Sequence, residues 1–184
     1  ATCEGTAMAM ETPMPGSFNI TTPAVNAREN SAQFDESDWL TDMDGYKYTW
    51  EASGSADGVT IKAQNPINKG FYEIKNYVPS FAPVTGANIG HWYIPAMGEL
   101  YMAFKRLRIA DLSQSTPTTD YTYITPYSTA AGGSNPTSFI LSSTEFKQPS
   151  NKATQTGLLV GSSIMRINFW PKRQPVPIWP FVHY

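Results

Sequence analysis

Few side chains in this chain could do covalent chemistry. It holds two histidines, His91 and His183, and one cysteine, Cys3. Nucleophilic catalysis needs a nucleophile, a base beside it and a group that orients the base. Neither histidine lies in a pattern that supplies such a set. His91 adjoins a tryptophan, where an imidazole reads as a packing residue. Cys3 has no histidine-rich neighbourhood to activate it, and a lone cysteine closes no intrachain disulfide. The chain therefore reads as a non-enzyme without a cofactor.

Metal chemistry is no better supplied. Asp35, Glu36, Asp38, Asp42 and Asp44 cluster around Trp39, but not at the alternating spacing with which a loop wraps several oxygens around calcium. They read as a solvated loop, and no metal is expected.

Recognition by weak contacts is the chemistry left. Charged residues make up only 15% of the chain and the net charge is −2, so nothing calls for a nucleic-acid partner. The balance is uneven. Residues 1–133 hold 8 Lys/Arg against 14 Asp/Glu, and residues 134–184 hold 5 against 1. The basic end (Lys147, Lys152, Arg166, Lys172, Arg173) is interleaved with Phe146, Phe169, Trp170 and Trp179. It reads either as a solvated face with stacked arginines or as a ligand-facing patch.

The elements that must carry these residues follow from periodicity. At 184 residues the chain can bury one good core. No apolar run of about 18 residues exists to cross a membrane, and Ala1 to Met10 lacks the basic start of a signal peptide. Pro13, Pro15 and Pro23 make residues 1–33 an arm or an extended edge element. Asp44-Gly45 followed by alternating Tyr46, Tyr48 and Trp50 predicts a hairpin. Val59 to Ala63 reads as a strand. Ile67, Phe71, Ile74 and Val78 form one stripe of a helix from about Pro66 to just before Pro79. Met97, Leu100, Tyr101, Phe104 and Leu107 give a broader helical face, with Glu99 in its first turn and Lys105, Arg106 and Arg108 in its last. Ser113 to Asn135 reads as a long irregular excursion. Strands follow over Phe139 to Phe146, Gly157 to Val160 and Ile164 to Phe169, and Val176 to Val182 closes the sheet. Pro171, Pro175, Pro177 and Pro180 confine parts of that end to edges or turns.

Two stretches narrow the reading further: HWYIPAMGELY, His91 to Tyr101, and FILSSTEF, Phe139 to Phe146. Trp92, Pro95 and Glu99, then a helix, then Ser142, Ser143 and Glu145, resemble the bacterial and phage version of the C-type lectin-like domain. That version occurs in diversity-generating-retroelement variable proteins and in Fibrobacter-type major paralogous domains. The resemblance covers residues 59–184 and leaves 1–58 as an irregular N-terminal extension with a hairpin. It implies an α+β, C-type lectin-like fold with two helices and a small, mostly antiparallel sheet. The six motif residues would then be scaffold: Trp92 filling a strand–helix junction, Pro95 fixing the helix entrance, and Glu99 capping amides or bonding the paired-serine strand. Ser142 and Ser143 would satisfy neighbouring loops, and Glu145 would meet a cation.

Two departures stand out. Leu141 replaces the family's tryptophan before the serines, and Trp179 replaces the arginine of the closing strand. Gln148-Pro149-Ser150 lacks the carboxylate with which sugar-binding members hold calcium, and the family's enzyme branch needs C-terminal cysteines that are missing here. The resemblance implies a receptor-recognition or adhesin module on a phage tail fibre or bacterial surface appendage, extracellular, on a cell surface or on a virion. Its partner would be a cell-surface protein or glycan, without membrane insertion, and fibre tips suggest a homo-oligomer by analogy. The ligand-binding face, open to hypervariation, would be Phe146, Gln148, Asn151, Lys152, Ser162, Ser163, Met165, Arg166, Phe169, Trp170, Lys172 and Arg173. Aromatic and arginine anchors with adaptable Ser and Asn neighbours suit that role. The alternative is a structural or assembly domain in which Ala1 to Gln33 packs on a neighbour.

Overall fold

Adjacent residues feed different halves of the core. Tyr93 and Ile140 enter one buried cluster with Trp39, Met97, Leu100 and Phe104. Their neighbours Ile94 and Leu141 enter a second with Tyr48, Phe71, Ile74 and Ile178. Successive side chains of extended backbone point to opposite faces, so these two segments form the partition between the clusters. Leu141 is fully buried there.

The computed structural model describes residues 5–9, 14–16, 28–35, 37–79, 90–111, 118–130, 132–135, 139–147, 154–160, 165–172 and 175–183, with backbone alone at 14–16, 139, 154–160 and 165–171. The fold is α+β with few helices and a small antiparallel sheet. Its elements are β1 (Thr6–Met8), β2 (Met14–Gly16), α1 (Gly45–Trp50), α2 (Lys69–Ile74), α3 (Met97–Arg106), α4 (Thr125–Ala130), β3 (Phe139–Glu145), β4 (Thr154–Val160), β5 (Met165–Pro171), β6 (Val176–Ile178) and β7 (Phe181–His183). Strands β3, β4 and β5 form an antiparallel meander, irregular between Leu141 and Glu145. Strand β1 pairs antiparallel with β7, and β2 with β6. Among the described residues no helix is long and apolar enough to cross a membrane.

Helix α3 and the three meander strands lie where periodicity puts them. Five expectations are corrected. Tyr46, Tyr48 and Trp50 belong to helix α1, not to a hairpin strand. Gly45 serves close packing instead of a turn: a Cβ there would lie 2.6 Å from the Ala96 nitrogen and 2.7 Å from the Ile94 oxygen. Val59 to Ala63 is no strand; it runs from a bend into a 3-10 turn at Lys62–Gln64. Helix α2 keeps only the middle of its stripe, with Phe71 and Ile74 buried and Ile67 and Val78 exposed. The excursion from Ser113 contains α4. The closing segment is also broken in two at Trp179-Pro180, and its pairing partners are the N-terminal strands.

Those pairings use parts of the arm as extended edge strands. Packing runs across the expected boundary at residues 58 and 59, since Trp39 and Tyr48 lie inside the two core clusters.

Candidate functional site

The Trp-Pro corner and the paired-serine strand meet at the start of α3. The first amides of a helix have no backbone acceptor within it, and here a side chain of α3 itself and two neighbouring segments supply them. Ala96 N–H donates to Glu99 Oε2 at 2.7 Å, Met97 N–H to Thr144 Oγ1 at 2.8 Å, and Gly98 N–H to the Asp42 carbonyl at 2.9 Å. Ser143 N–H donates to the Pro95 carbonyl at 2.8 Å. Thr144 Oγ1 in turn donates to Asp42 Oδ2 at 2.7 Å, and Tyr48 Oη to Asp42 Oδ1 at 3.1 Å. Gly98 permits this approach, because a Cβ would sit 2.6 Å from the Leu40 oxygen.

Burial sets the electrostatics of the corner. The Glu99 carboxyl is pushed up to about 7 by desolvation, despite bonds from Ala96 and from Tyr93 Oη at 2.9 Å. Burial also raises Asp42 and pushes the Tyr48 and Tyr93 phenols well above their ordinary value. Asp42 is thus a buried scaffold residue, a correction to the solvated acidic loop. Asp35, Asp38 and Asp44 are exposed as expected, and Glu36 lies outside the described residues.

Glu145 organises a second polar centre. Its Oε2 accepts the amides of Glu29 at 2.9 Å and Asn30 at 2.6 Å, and its Oε1 accepts Gln33 Nε2 at 3.0 Å. The cation it was expected to meet is Lys172, whose Nζ donates to Oε1 at 2.6 Å and lies 3.8 Å from Glu29. Nearby Lys62 is buried without a carboxylate in hydrogen-bond reach among the described residues. Its Nζ donates to the Gly54 carbonyl at 3.0 Å and Ser55 Oγ at 2.9 Å, and burial lowers it to about 8.

The six motif residues therefore cluster, with adjustments. Trp92 is half-buried, edge-on to Tyr77, and its carbonyl accepts Trp50 Nε1 at 2.8 Å; the aromatic that fills the junction is Tyr93. Ser142 Oγ accepts the Thr144 amide at 3.0 Å. Ser143 works through its backbone, its hydroxyl having no hydrogen-bond partner among the described residues. His91 is exposed over the Trp50 ring, 4.5 Å between centroids, and His183 stacks on Tyr93 at 4.8 Å.

The C-terminal binding face fares differently. Lys172 is 1% exposed and ion-paired, so it is scaffold; a lysine facing a ligand would need its ammonium in water until the ligand arrived. Phe146 is half-buried, edge-on to Trp39 at 4.9 Å and bridged to Phe34. Val176, Ile178, Trp179, Phe181 and Val182 are buried, so the closing segment displays no row of side chains. Trp179 is a core residue. Gln148, Asn151, Lys152, Ser162, Ser163 and Arg173 lie outside the described residues, and for Met165, Arg166, Phe169 and Trp170 the structure describes backbone alone.

Periodicity did not reveal a concavity beside α3. A groove of about 830 Å³ runs between β1 and β7 on one side and α3 with residues 123–127 on the other. Of the seven large hydrophobic side chains exposed among the described residues, Met43, Met102, Tyr123 and Tyr127 line it. Arg106, Glu99 and His183 supply its charged and titratable groups, and burial lowers His183. Arg108 lies over the Tyr123 ring, 5.1 Å from its centroid. One local signal did exist: Met102 falls off the apolar stripe of α3, a large hydrophobe on the face turned from the core. Neither known protein families, nor curated proteins, nor solved structures offer a match to this chain.

Proposed function

We propose that this chain is a recognition module of C-type lectin-like architecture that binds a partner and does no chemistry on it. The observation that carries the reading is the groove, where four of the seven exposed large hydrophobic side chains share one cavity. Scattered surface hydrophobes are ordinary, whereas a contiguous set marks an interaction site. Its volume falls in the range of about 300–1,000 Å³ usual for binding pockets. Both oxygens of Glu99, the carboxylate lining the groove, already accept hydrogen bonds within the corner.

Contact between the Trp-Pro corner and the paired-serine strand supports the lectin-like architecture. It also supports a rigid platform, because the Met97 and Gly98 amides and the Pro95 carbonyl at the start of α3 all bond to other segments. In this reading the ligand is a cell-surface protein or glycan, met outside the cell from a phage tail fibre or bacterial surface appendage. The assembly alternative loses two segments of its arm, since β1 and β2 pair within their own chain.

Glycan and cell-surface-protein arrays probed with the wild-type chain and with Met102→Ser/Tyr127→Ser test this. Both side chains are exposed, at 37% and 63%, so melting should move little. Array signals should fall about tenfold or more if these residues anchor the ligand. Equal signals from the two proteins, or none from either, refute the proposal.

A further inference from the structure

The strand bordering the groove has one edge without a strand neighbour among the described residues. Strand β7 is flanked on both sides: Phe181 exchanges backbone bonds with Tyr93 at 2.8 and 3.0 Å, and Gly90 N–H donates to the His183 carbonyl at 2.9 Å. In an antiparallel ladder the residues of one strand alternate in the edge they address. Phe181 and His183 address residues 90–93, so Pro180 and Val182 address β1. Ala9 N–H donating to the Pro180 carbonyl at 2.9 Å agrees with this, and the register pairs Ala7 with Val182. Ala7 and Ala9 are thus spent on β7. The backbone N–H and C=O groups of Thr6 and Met8 point the other way.

We propose that the groove takes an extended peptide segment of a partner protein, added as a strand to the free edge of β1, with alternate apolar side chains inserted and an acidic side chain facing Arg106. This rests on the groove being the recognition surface and names the ligand it accepts. Three observations select that occupant. Thr6 and Met8 together offer two donors and two acceptors in one line, at the spacing of the alternate residues of a strand. Apolar side chains line the cavity beside that edge, where the alternate side chains of an added strand would go. Arg106 lines the same cavity and has no ion-pair partner among the described residues.

The test uses the full chain and a displayed library of octapeptides with threonine at alternate positions and all twenty residues at the others. Enriched peptides should carry Leu, Met or Phe at the randomised positions with one Asp or Glu. N-methylation of the backbone amides on the register facing β1 should weaken binding about tenfold or more, and on the intervening register less than about twofold. Arg106→Glu should cost about tenfold for the acidic peptides and little for versions with Asn or Gln there. Met8→Pro, which removes an outward N–H, should weaken binding while Tyr127→Ser reports on the groove separately. No enrichment, or binding indifferent to N-methylation register, overturns strand addition. Myristate bound in a Tyr127-dependent manner without any peptide would overturn the peptide assignment and leave the groove as a recognition surface. Concentration-dependent dimerisation abolished by Arg106→Glu would assign the edge to a second copy and overturn it likewise.

Discussion

Replacing Glu99 by glutamine separates the charge of this carboxyl from its shape. A glutamine oxygen can still accept the Ala96 amide, so the cap of α3 is kept. What changes is titration. The folded carboxyl is pushed up to about 7 from an ordinary 4.5, chiefly by desolvation, and at 7% exposure water screens it little. Between those two values the unfolded chain has released its proton while the folded chain retains it. The folded state then binds more protons, so stability falls as pH rises through the window, and the loss is complete above about 7. The gap corresponds to roughly 3 kcal/mol. For a chain of this size that is about 6–12 °C in Tm. Asp42, raised by burial, acts in the same direction from 3.8 upward. His183, lowered by burial, acts in the opposite direction below 6.5. Both effects largely cancel in the difference between wild type and variant. Urea unfolding of the two proteins at pH 5 and pH 8 should therefore show the wild type gaining about 3 kcal/mol over Glu99→Gln on acidification. Parallel pH profiles would mean that Glu99 titrates as a hydrated carboxyl. The polar corner that joins the Trp-Pro segment to residues 40–45 would then not exist as described.

Three further substitutions probe the scaffold. Lys172→Met should destabilise by about 3–5 kcal/mol in denaturant titration, because Glu145 is left buried without its cation; an unchanged midpoint would return Lys172 to the surface. Gly45→Ala sets two rules against each other. Helix propensity favours alanine by about 1 kcal/mol, but the new Cβ would collide with backbone at Ile94 and Ala96. Loss of thermal stability is expected, and a gain would refute the close approach. Lys62, lowered to about 8 from 10.5 by burial, binds fewer protons folded than unfolded between those values. Stability should thus rise with pH across that interval, and Lys62→Met should flatten the rise in urea titrations at pH 8 and 10; an equal slope in both proteins would contradict it.

How much of this was legible depends on where the deciding contact lies. Helix α3 and strand β3 were readable because their apolar periodicity is local and their burial follows it. Glu145 was readable for a related reason: it is the one acidic residue among residues 134–184, so a cation was a reasonable partner. Lys172 was misread although the same pair was in view. Nothing within several residues of a lysine says whether its ammonium meets water or a carboxylate contributed by β3. Helix α1 was misread because Asp44-Gly45 has the composition of a turn. The glycine is in fact required by a neighbour some fifty residues away in sequence, since only a residue without Cβ lets α1 lie against Ile94 and Ala96.

The groove is the extreme of the same dependence. Met8, Met43, Met102 and Tyr127 come from four segments, and each alone is an ordinary surface or flanking residue. Their meeting is created by the β1–β7 pairing and by the packing of residues 40–45 on α3. A binding surface assembled that way leaves no run of residues to find. The signals that survive in sequence are negative ones, such as the large hydrophobe at position 102 on a helical face that the core does not use. Burial free energy alone gives no reason for that residue on the exposed face of α3, because it gains little there. Its presence beside two exposed tyrosines is accounted for if the gain comes on binding, and that is the loss Met102→Ser/Tyr127→Ser should register.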